Sequence, residues 1–535
     1  MKRFLPLAEI LIIVAIACFP LVAGNFPYRL NIFLSYEGAY RMSEGHIPYR
    51  DFGTPLGYMY WVVPAIFFKI FGPFMMSLVK AQVFLNIIAG LSFRSILKNF
   101  SLRDGMRFLL VLLFVISYSF LNYWPWYNHT VIVYELVALS FLTKFIFNEG
   151  KKWRYAWLVL SGVFTFFSFF TKQDGGGMAL MICLVLVLYN AIHEKSWKQP
   201  LVFISGFILT GVLLIAPFIK YRFGYWFNHG QPPHISRFSV ADLADDFFNN
   251  SQFIKFYIFI IFILLLAHIK SFKTFWQDKY KMVFTLLTLG ILAEAAIFQT
   301  TSYIPPDNNI FFHSFAIAFI LAMSAYFLPI DYSKWKTIIV AGAGIMIWWS
   351  SVYWKYIEKF VVKPQAITTT DGVVNKKTYL ILKPDTTDVP MHLWRTVPYP
   401  AFGKMLLPGP TADGIERLLK MDVARKPGAK VLNMSELTPL VQVMKYELEK
   451  NDEYPLWYHK GVGMFQKETD MFNDRIRKNY YDLVIFEYIP YLNNFYPMEV
   501  RETLLANYER VDSFTAPRKP SLQAWVEVYV RKSAK

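Results

Sequence analysis

Several familiar signatures are missing from this sequence. It has no internal repeat, no low-complexity tract and no coiled-coil heptad, so solenoid, linker and rod architectures are excluded. The Walker spacing is absent, so the glycine-rich stretch at 171–177 (TKQDGGG) is no P-loop, and no H-E-x-x-H spacing marks a metalloprotease. Cysteine is scarce. Cys18 and Cys183 both fall in apolar runs, read as lipid-facing or core residues, and say nothing about redox compartment.

Apolar and aromatic side chains are plentiful: 55% of residues are hydrophobic and 19% aromatic, and the mean hydropathy is +0.32, which puts the chain among membrane proteins. Fifteen Trp and 33 Tyr suit many interfacial belts, where amphipathic rings settle at the head-group level. The net charge of +17 looks at first like a nucleic-acid signal. Residues 365–535 hold 24 basic and 21 acidic residues, or +3, which leaves +14 for the membrane part. Basic excess beside apolar spans orients those spans, so no nucleic-acid partner is expected.

Met-Lys-Arg and the apolar run 5–23 resemble a signal peptide without a clear cleavage site, and read as an uncleaved first helix with its amino end in the cytoplasm. Further spans are expected at 75–97, 108–121, 131–147, 157–170, 178–192, 201–218, 253–268, 283–298, 310–328 and 337–353, about eleven in all. The run 55–71 is as apolar, but Pro55, Pro64, Lys69 and its aromatic load favour a helix lying along the membrane. With that choice the basic loops around Lys98, Lys152, Lys195, Lys273 and Lys334 all fall on the cytoplasmic side. The loops 35–60, 122–129, 171–177, 220–251 and 300–309 then share the opposite face with the tail.

After Lys363-Pro364 charged residues become frequent, and β-like runs at 429–434, 481–488 and 524–530 alternate with helix-like runs. The expectation is a polytopic α-helical membrane part, 1–363, followed by an extracytoplasmic soluble α/β domain, 364–535, in a multi-pass protein of the inner (plasma) membrane.

The stretch 35–60 (SYEGAYRMSEGHIPYRDFGTPLGYMY) organises the functional reading. Its charged residues cannot lie in hydrocarbon, so it sits where water and lipid meet. Glu37 and Asp51 invite a general-base or metal-binding reading; equally, they suit ion pairs with Arg41 and Arg50 that shape the loop, and spacing does not separate these. Lys172 at a span end is either an interfacial snorkeller or, with glycines behind it, an anchor for a phosphate. Gln173 beside it, Asn128 in the aromatic loop before the fourth span, Tyr303 in the loop 300–309 and His313 complete the candidate substrate-binding residues. His229, His234 and His313 share one face, so a divalent metal stays open as the lesser reading.

The order of these features resembles the GT-C class of integral-membrane glycosyltransferases, which includes protein O-mannosyltransferases and the lipid A aminoarabinose transferase. The resemblance covers residues 1–353. It is carried by Tyr36-Glu37-Gly38-Ala39-Tyr40, by Gly45-His46-Ile47-Pro48-Tyr49-Arg50-Asp51-Phe52, by Thr54-Pro55-Leu56 and by Thr171-Lys172. It implies transfer of a sugar from a polyprenyl-phosphate donor to a glycan, lipid or protein acceptor on the non-cytoplasmic face, with Lys172 at the donor phosphate and Arg41 or Arg50 helping to bind it. Two departures stand out: Tyr36-Glu37 replaces the family's Asp-Glu, leaving Glu37 or Asp51 as catalytic carboxylate, and Asn128 stands where an acidic residue is common. The rivals are a lipid-linked sugar flippase, for which Glu135 and Glu294 inside spans would speak and the missing repeat would not, and an O-antigen-type polymerase or ligase.

Overall fold

The computed structural model describes residues 4–28, 32–120, 122–150, 152–221, 240–269, 271–302, 311–351, 389, 393–451, 454–456, 464–490, 498–517 and 524–532. Tyr303, His229 and His234 lie outside them.

Mostly apolar sequence builds the membrane part as helices: α1 (Leu5–Val22), α2 (Ile32–Ser43), α3 (Met59–Phe71), α4 (Met75–Asn99), α5 (Asp104–Phe114), α6 (Tyr127–Phe147), α7 (Arg154–Phe169), α8 (Gln173–His193) and α9 (Lys198–Ile215). Then follow α10 (Val240–Asn250), α11 (Gln252–His268), α12 (Phe272–Gln277), α13 (Lys279–Ser302), α14 (Phe311–Ser324) and α15 (Trp335–Trp348); α2 and α10 carry charged residues. Helices occupy all eleven expected stretches. Among the described residues, however, six are long and apolar enough to cross, namely α1, α4, α6, α8, α9 with the turn after it, and α13, or seven if α10 and α11, bent by 82°, form one broken span. The other places hold shorter helices. The stretch 108–121, for instance, divides between α5 and a π-helical turn, Val115–Ser119, that interrupts regular winding. Helix α3 has 13 residues, about 20 Å at 1.5 Å per residue, too short for a hydrocarbon core of about 30 Å.

Helix α6 is the centre of the bundle: 83% of its apolar window is buried, against 22% for α9 and 28% for α1, which face outward. It packs on α4, α7 and α8, while α13 packs on α8 and α14. At one end of the bundle charged loops meet. Glu194 takes contacts from Arg154 (2.5 Å) and Lys279 (2.7 Å), and Lys279 also reaches Glu149 (2.6 Å). At the same helix ends Glu9 of α1, fully buried, is held by Arg94 (2.6 Å) and Arg107 (2.9 Å). That pairing keeps a carboxylate tolerable inside an apolar helix.

The C-terminal residues form a mixed sheet of β4 (Val431–Met434), β5 (Leu483–Tyr488), β6 (Tyr508–Thr515) and β7 (Trp525–Arg531) in the order β4-β5-β7-β6; β4 and β5 are parallel and the other pairs antiparallel. Five short helices accompany it: α16 (Gly409–Leu418), α17 (Asp422–Arg425), α18 (Leu440–Met444), α19 (Phe465–Arg477) and α20 (Met498–Asn507). Successive side chains of a strand point to opposite faces, and both faces are covered here, so β5 reads Leu-Val-Ile-Phe without alternation. Leu483 and Ile485 join one apolar cluster with Ile415 and Phe514, whereas Val484 and Phe486 join another with Phe472 and Leu504.

Both clusters continue into the first loop. The former includes Ile32, Tyr36 and Ala39 of α2, and the latter includes Phe52, Leu56 and Trp61. Backbone pairing reinforces the union: β1 (Phe26–Pro27) pairs in parallel with β3 (Met405–Pro408), which pairs in turn with β2 (Trp394–Arg395). The C-terminal sheet therefore stands on the same end of the bundle as the loop 35–60, away from the ionic cluster of Glu194.

Candidate functional site

Helix α2 carries Glu37 and Arg41 one turn apart, the spacing at which two side chains on a helix meet. Arg41 is fully buried and donates from Nε to Glu37 Oε1 at 2.9 Å, with its Nη2 2.8 Å from the same oxygen in an ion pair without a hydrogen bond of its own. Its Nη1 donates to the Glu449 carbonyl at 2.7 Å, and its guanidinium faces the rings of Tyr454 (4.5 Å) and Phe52 (5.5 Å). Arg41 thus ties the first loop to the C-terminal segment while it orients the Glu37 carboxylate.

The second pair sits on a tight turn. Tyr49 adopts φ +65°, costly for a bulky residue, and is held there by complete burial and by an O–H donated to the Leu56 carbonyl at 2.9 Å. The turn sets Arg50 against Asp51 as a fork, Nε to Oδ1 at 2.8 Å and Nη2 to Oδ2 at 2.7 Å, and the Ile47 N–H also donates to Oδ2 at 2.7 Å. Burial would raise the Asp51 carboxyl, but the Arg50 contact and the Ile47 amide outweigh it and hold it below its ordinary value. His46 is lowered as well, but with burial as the first cause: burial, then the charges of Arg41 and Lys450, bring it to about 4. The turn is laced to the C-terminal segment by Asn451 N to Asp51 O (2.9 Å), Gly53 N to Tyr454 O (2.7 Å) and Leu456 N to Gly53 O (2.9 Å).

Lys172, extended at the start of α8, pairs with Asp174 at 2.8 Å and lies over the rings of Phe298 (4.5 Å) and Tyr127 (5.7 Å). From Tyr127 a row of rings leads back to α2: Tyr127 to Tyr60 (5.9 Å), Tyr60 to Trp61 (4.6 Å), Trp61 to Phe52 (5.8 Å). One glycine lets this row meet α2, and a second seats the loop on the end of α7. A Cβ on Gly38 would meet the Trp61 indole at 2.1 Å, and one on Gly57 the Phe170 carbonyl at 1.6 Å. Gln173 opens α8 beside Lys172, and Asn128, buried, opens the second position of α6 beside Tyr127.

His313 belongs to a separate network among α11, α14 and the end of α15. Trp349 Nε1 donates to the Tyr257 oxygen at 2.7 Å, and that hydroxyl shares a hydrogen bond with His313 Nδ1 at 2.6 Å. Glu135 of α6 and Glu294 of α13 are fully buried with their carboxyls in reach of each other. Among the described residues no group of three or more His, Cys, Asp or Glu is arranged to hold a metal ion.

Thus Glu37 and Arg41 come together, as do Arg50 and Asp51, and both pairs meet the C-terminal segment; Lys172, Gln173 and Asn128 stand at the far end of the aromatic row. What the sequence does not disclose is the partner wall. Asn433, Thr438, Tyr446, Glu449 and Tyr454 line a small pocket with Tyr36 and Glu37. They belong to a tail of ordinary composition, and no motif marks them.

No family model matches the chain, and no curated protein does. Among solved structures it is similar to the crystal structure of ArnT from Cupriavidus metallidurans bound to undecaprenyl phosphate, with 12% sequence identity and a TM-score of 0.49, over 98% of this chain and 97% of that one.

Proposed function

We propose that this protein is an integral-membrane glycosyltransferase of the GT-C type that moves a sugar from a polyprenyl-phosphate donor to an acceptor hydroxyl on the extracytoplasmic side. The observation that carries the reading is the state of Glu37: the buried Arg41 pairs with one carboxylate oxygen, Oε1, by a hydrogen bond from Nε, and the residue lines a pocket between α2 and the C-terminal segment. Its second oxygen serves the acceptor.

The donor phosphate sits at Lys172, with Gln173 and Asn128 beside it, and the prenyl chain stays in the bilayer. The acceptor oxygen attacks the anomeric carbon as the carbon–oxygen bond to phosphate breaks; prenyl phosphate leaves with the bonding electrons, and the acceptor proton passes to Glu37. Prenyl phosphate is already a good leaving group, so alignment and charge placement supply most of the acceleration. Arg50 and Asp51 hold the turn, and residues 364–535 act as the acceptor-side domain.

Single-turnover transfer from a radiolabelled prenyl-phosphate sugar tests the assignment. Glu37→Gln keeps shape and loses the basic oxygen, and should lower the rate by about 10²–10⁴-fold with donor binding retained. Asp51→Asn should cost less. A wild-type rate for Glu37→Gln with an inactive Asp51→Asn reverses the two roles; normal transfer by both removes either carboxylate as base.

A further inference from the structure

We propose that Glu135 and Glu294 form a proton site inside the helix bundle, where the two carboxyls share a proton at neutral pH. The site goes beyond the transferase reading and does not depend on it. Both residues lie within helices long and apolar enough to cross, α6 and α13. Glu135 comes eight residues after Tyr127 at the start of α6, and Glu294 eight residues before Ser302 at the end of α13. At 1.5 Å per residue each is about 12 Å into the bundle. The two ends lie on one side, because Lys172 stands over the rings of both Tyr127 and Phe298, so the carboxyls share a depth.

Helix α8 leaves them room to meet. A Cβ on its Gly175 would come within 2.7 Å of Phe298 and 3.2 Å of Val131, which lie one helical turn outward of Glu294 and Glu135. Small side chains continue at the same spacing, Ala179 and Cys183, both fully buried. One turn deeper than Phe298 and Val131, the carboxyls are in reach of each other.

Nothing around them supplies a counter-charge. Glu135 is 1% exposed and Glu294 0%, and none of their four carboxyl oxygens has a hydrogen-bond partner among the described residues. Glu9 in α1, by contrast, is held by two arginines. The groups nearest the pair are committed elsewhere: Lys172 pairs with Asp174 at 2.8 Å, and the Tyr118 hydroxyl donates to the His129 carbonyl at 2.7 Å. Two ionised carboxylates in contact repel strongly where little screens them, and acceptor oxygens cannot satisfy one another. A proton between them removes the repulsion and forms an O–H···O bond. A metal ion is disfavoured, since helix carbonyls are spent on their own backbone and two carboxyls leave its shell unfilled.

The test is infrared spectroscopy of the full-length protein at neutral pH in dodecyl maltoside, a detergent without a carbonyl group. The carbonyl stretch of a protonated carboxyl should be present, should move when glutamate alone is labelled with ¹³C, and should change in Glu135→Gln and in Glu294→Gln. The double variant should lose it. Gln keeps the shape of a protonated glutamate, so the variants should fold, and the labelled wild type needs no variant. No such band in the wild type, a band indifferent to the glutamate label, or a band that survives in the folded double variant overturns the proposal. A wild-type melting temperature raised by sodium or potassium chloride over choline chloride, and unmoved in the double variant, also overturns it, because it marks a cation bound to an ionised pair.

Discussion

Replacing Arg41 by Met should loosen the seam between the first loop and the C-terminal segment, because Arg41 is the fully buried cation on which that seam converges. The variant removes two contacts to Glu37 Oε1 at 2.8 and 2.9 Å and one to the Glu449 carbonyl at 2.7 Å, and it leaves a buried carboxylate without its cation. Breaking a buried pair from one side costs about 3–5 kcal/mol. If that cost falls on local opening of the seam, amides there exchange faster by about two to three and a half decades, at 1.4 kcal/mol per decade. The reporters are the amides of Gly53, Asn451 and Leu456, which bridge the two segments, read by hydrogen–deuterium exchange on the protein in nanodiscs. Adding Glu37→Gln to Arg41→Met removes the uncompensated charge and should recover at least about one decade, a coupling expected only of residues in contact. Exchange changed less than fivefold by Arg41→Met, or no recovery in the double variant, would refute the reasoning and return Arg41 to ligand binding.

Lys172→Ala should weaken donor affinity about 10- to 100-fold, the worth of a charge-assisted contact of about 1.5–3 kcal/mol, as read by titration with a prenyl-phosphate analogue; unchanged affinity makes Lys172 an interfacial snorkeller. Fusion reporters should place Lys151 and Lys273 inside and Ala366 and Lys535 outside, and an inside Lys535 overturns the topology. The depressed His46 makes the seam acid-sensitive: between an ordinary value of 6.5 and about 4 the unfolded chain binds a proton that the folded loop does not. Stability from this residue is therefore present above pH 6.5 and is lost as pH falls toward 4, and thermal melts should show a slope in that window that His46→Gln removes. Asp51 is shifted in the same sense at lower pH: its share is present above the ordinary carboxylate value and is lost as pH falls below it.

Much of the membrane part was legible because lipid imposes a local rule: a segment that crosses must satisfy its own backbone, so apolar length betrays each helix. The 18 residues of α1 could be read directly, as could most of α6, although its first residues, Tyr127–His129, read as loop; the 13 residues of α3 suit the expectation, drawn from Pro55, Pro64 and Lys69, that this stretch does not cross. Span count was less legible, since hydropathy does not reveal where winding breaks, as at Val115–Ser119, or where a helix stops short, as in α14.

At the site, sequence determined the local pairs. Glu37 with Arg41 follows from helical spacing and Arg50 with Asp51 from adjacency, and both ion pairs stood beside the catalytic reading as open alternatives. Only the tertiary structure decided which groups oppose them. Glu449 and Tyr454 lie more than 400 positions from Arg41, and Thr438 and Asn433 line one pocket with Glu37 because one apolar face of the C-terminal sheet is shared with α2. Apolar burial has no direction along the chain, so a sequence announces that such a face must be covered without saying by what.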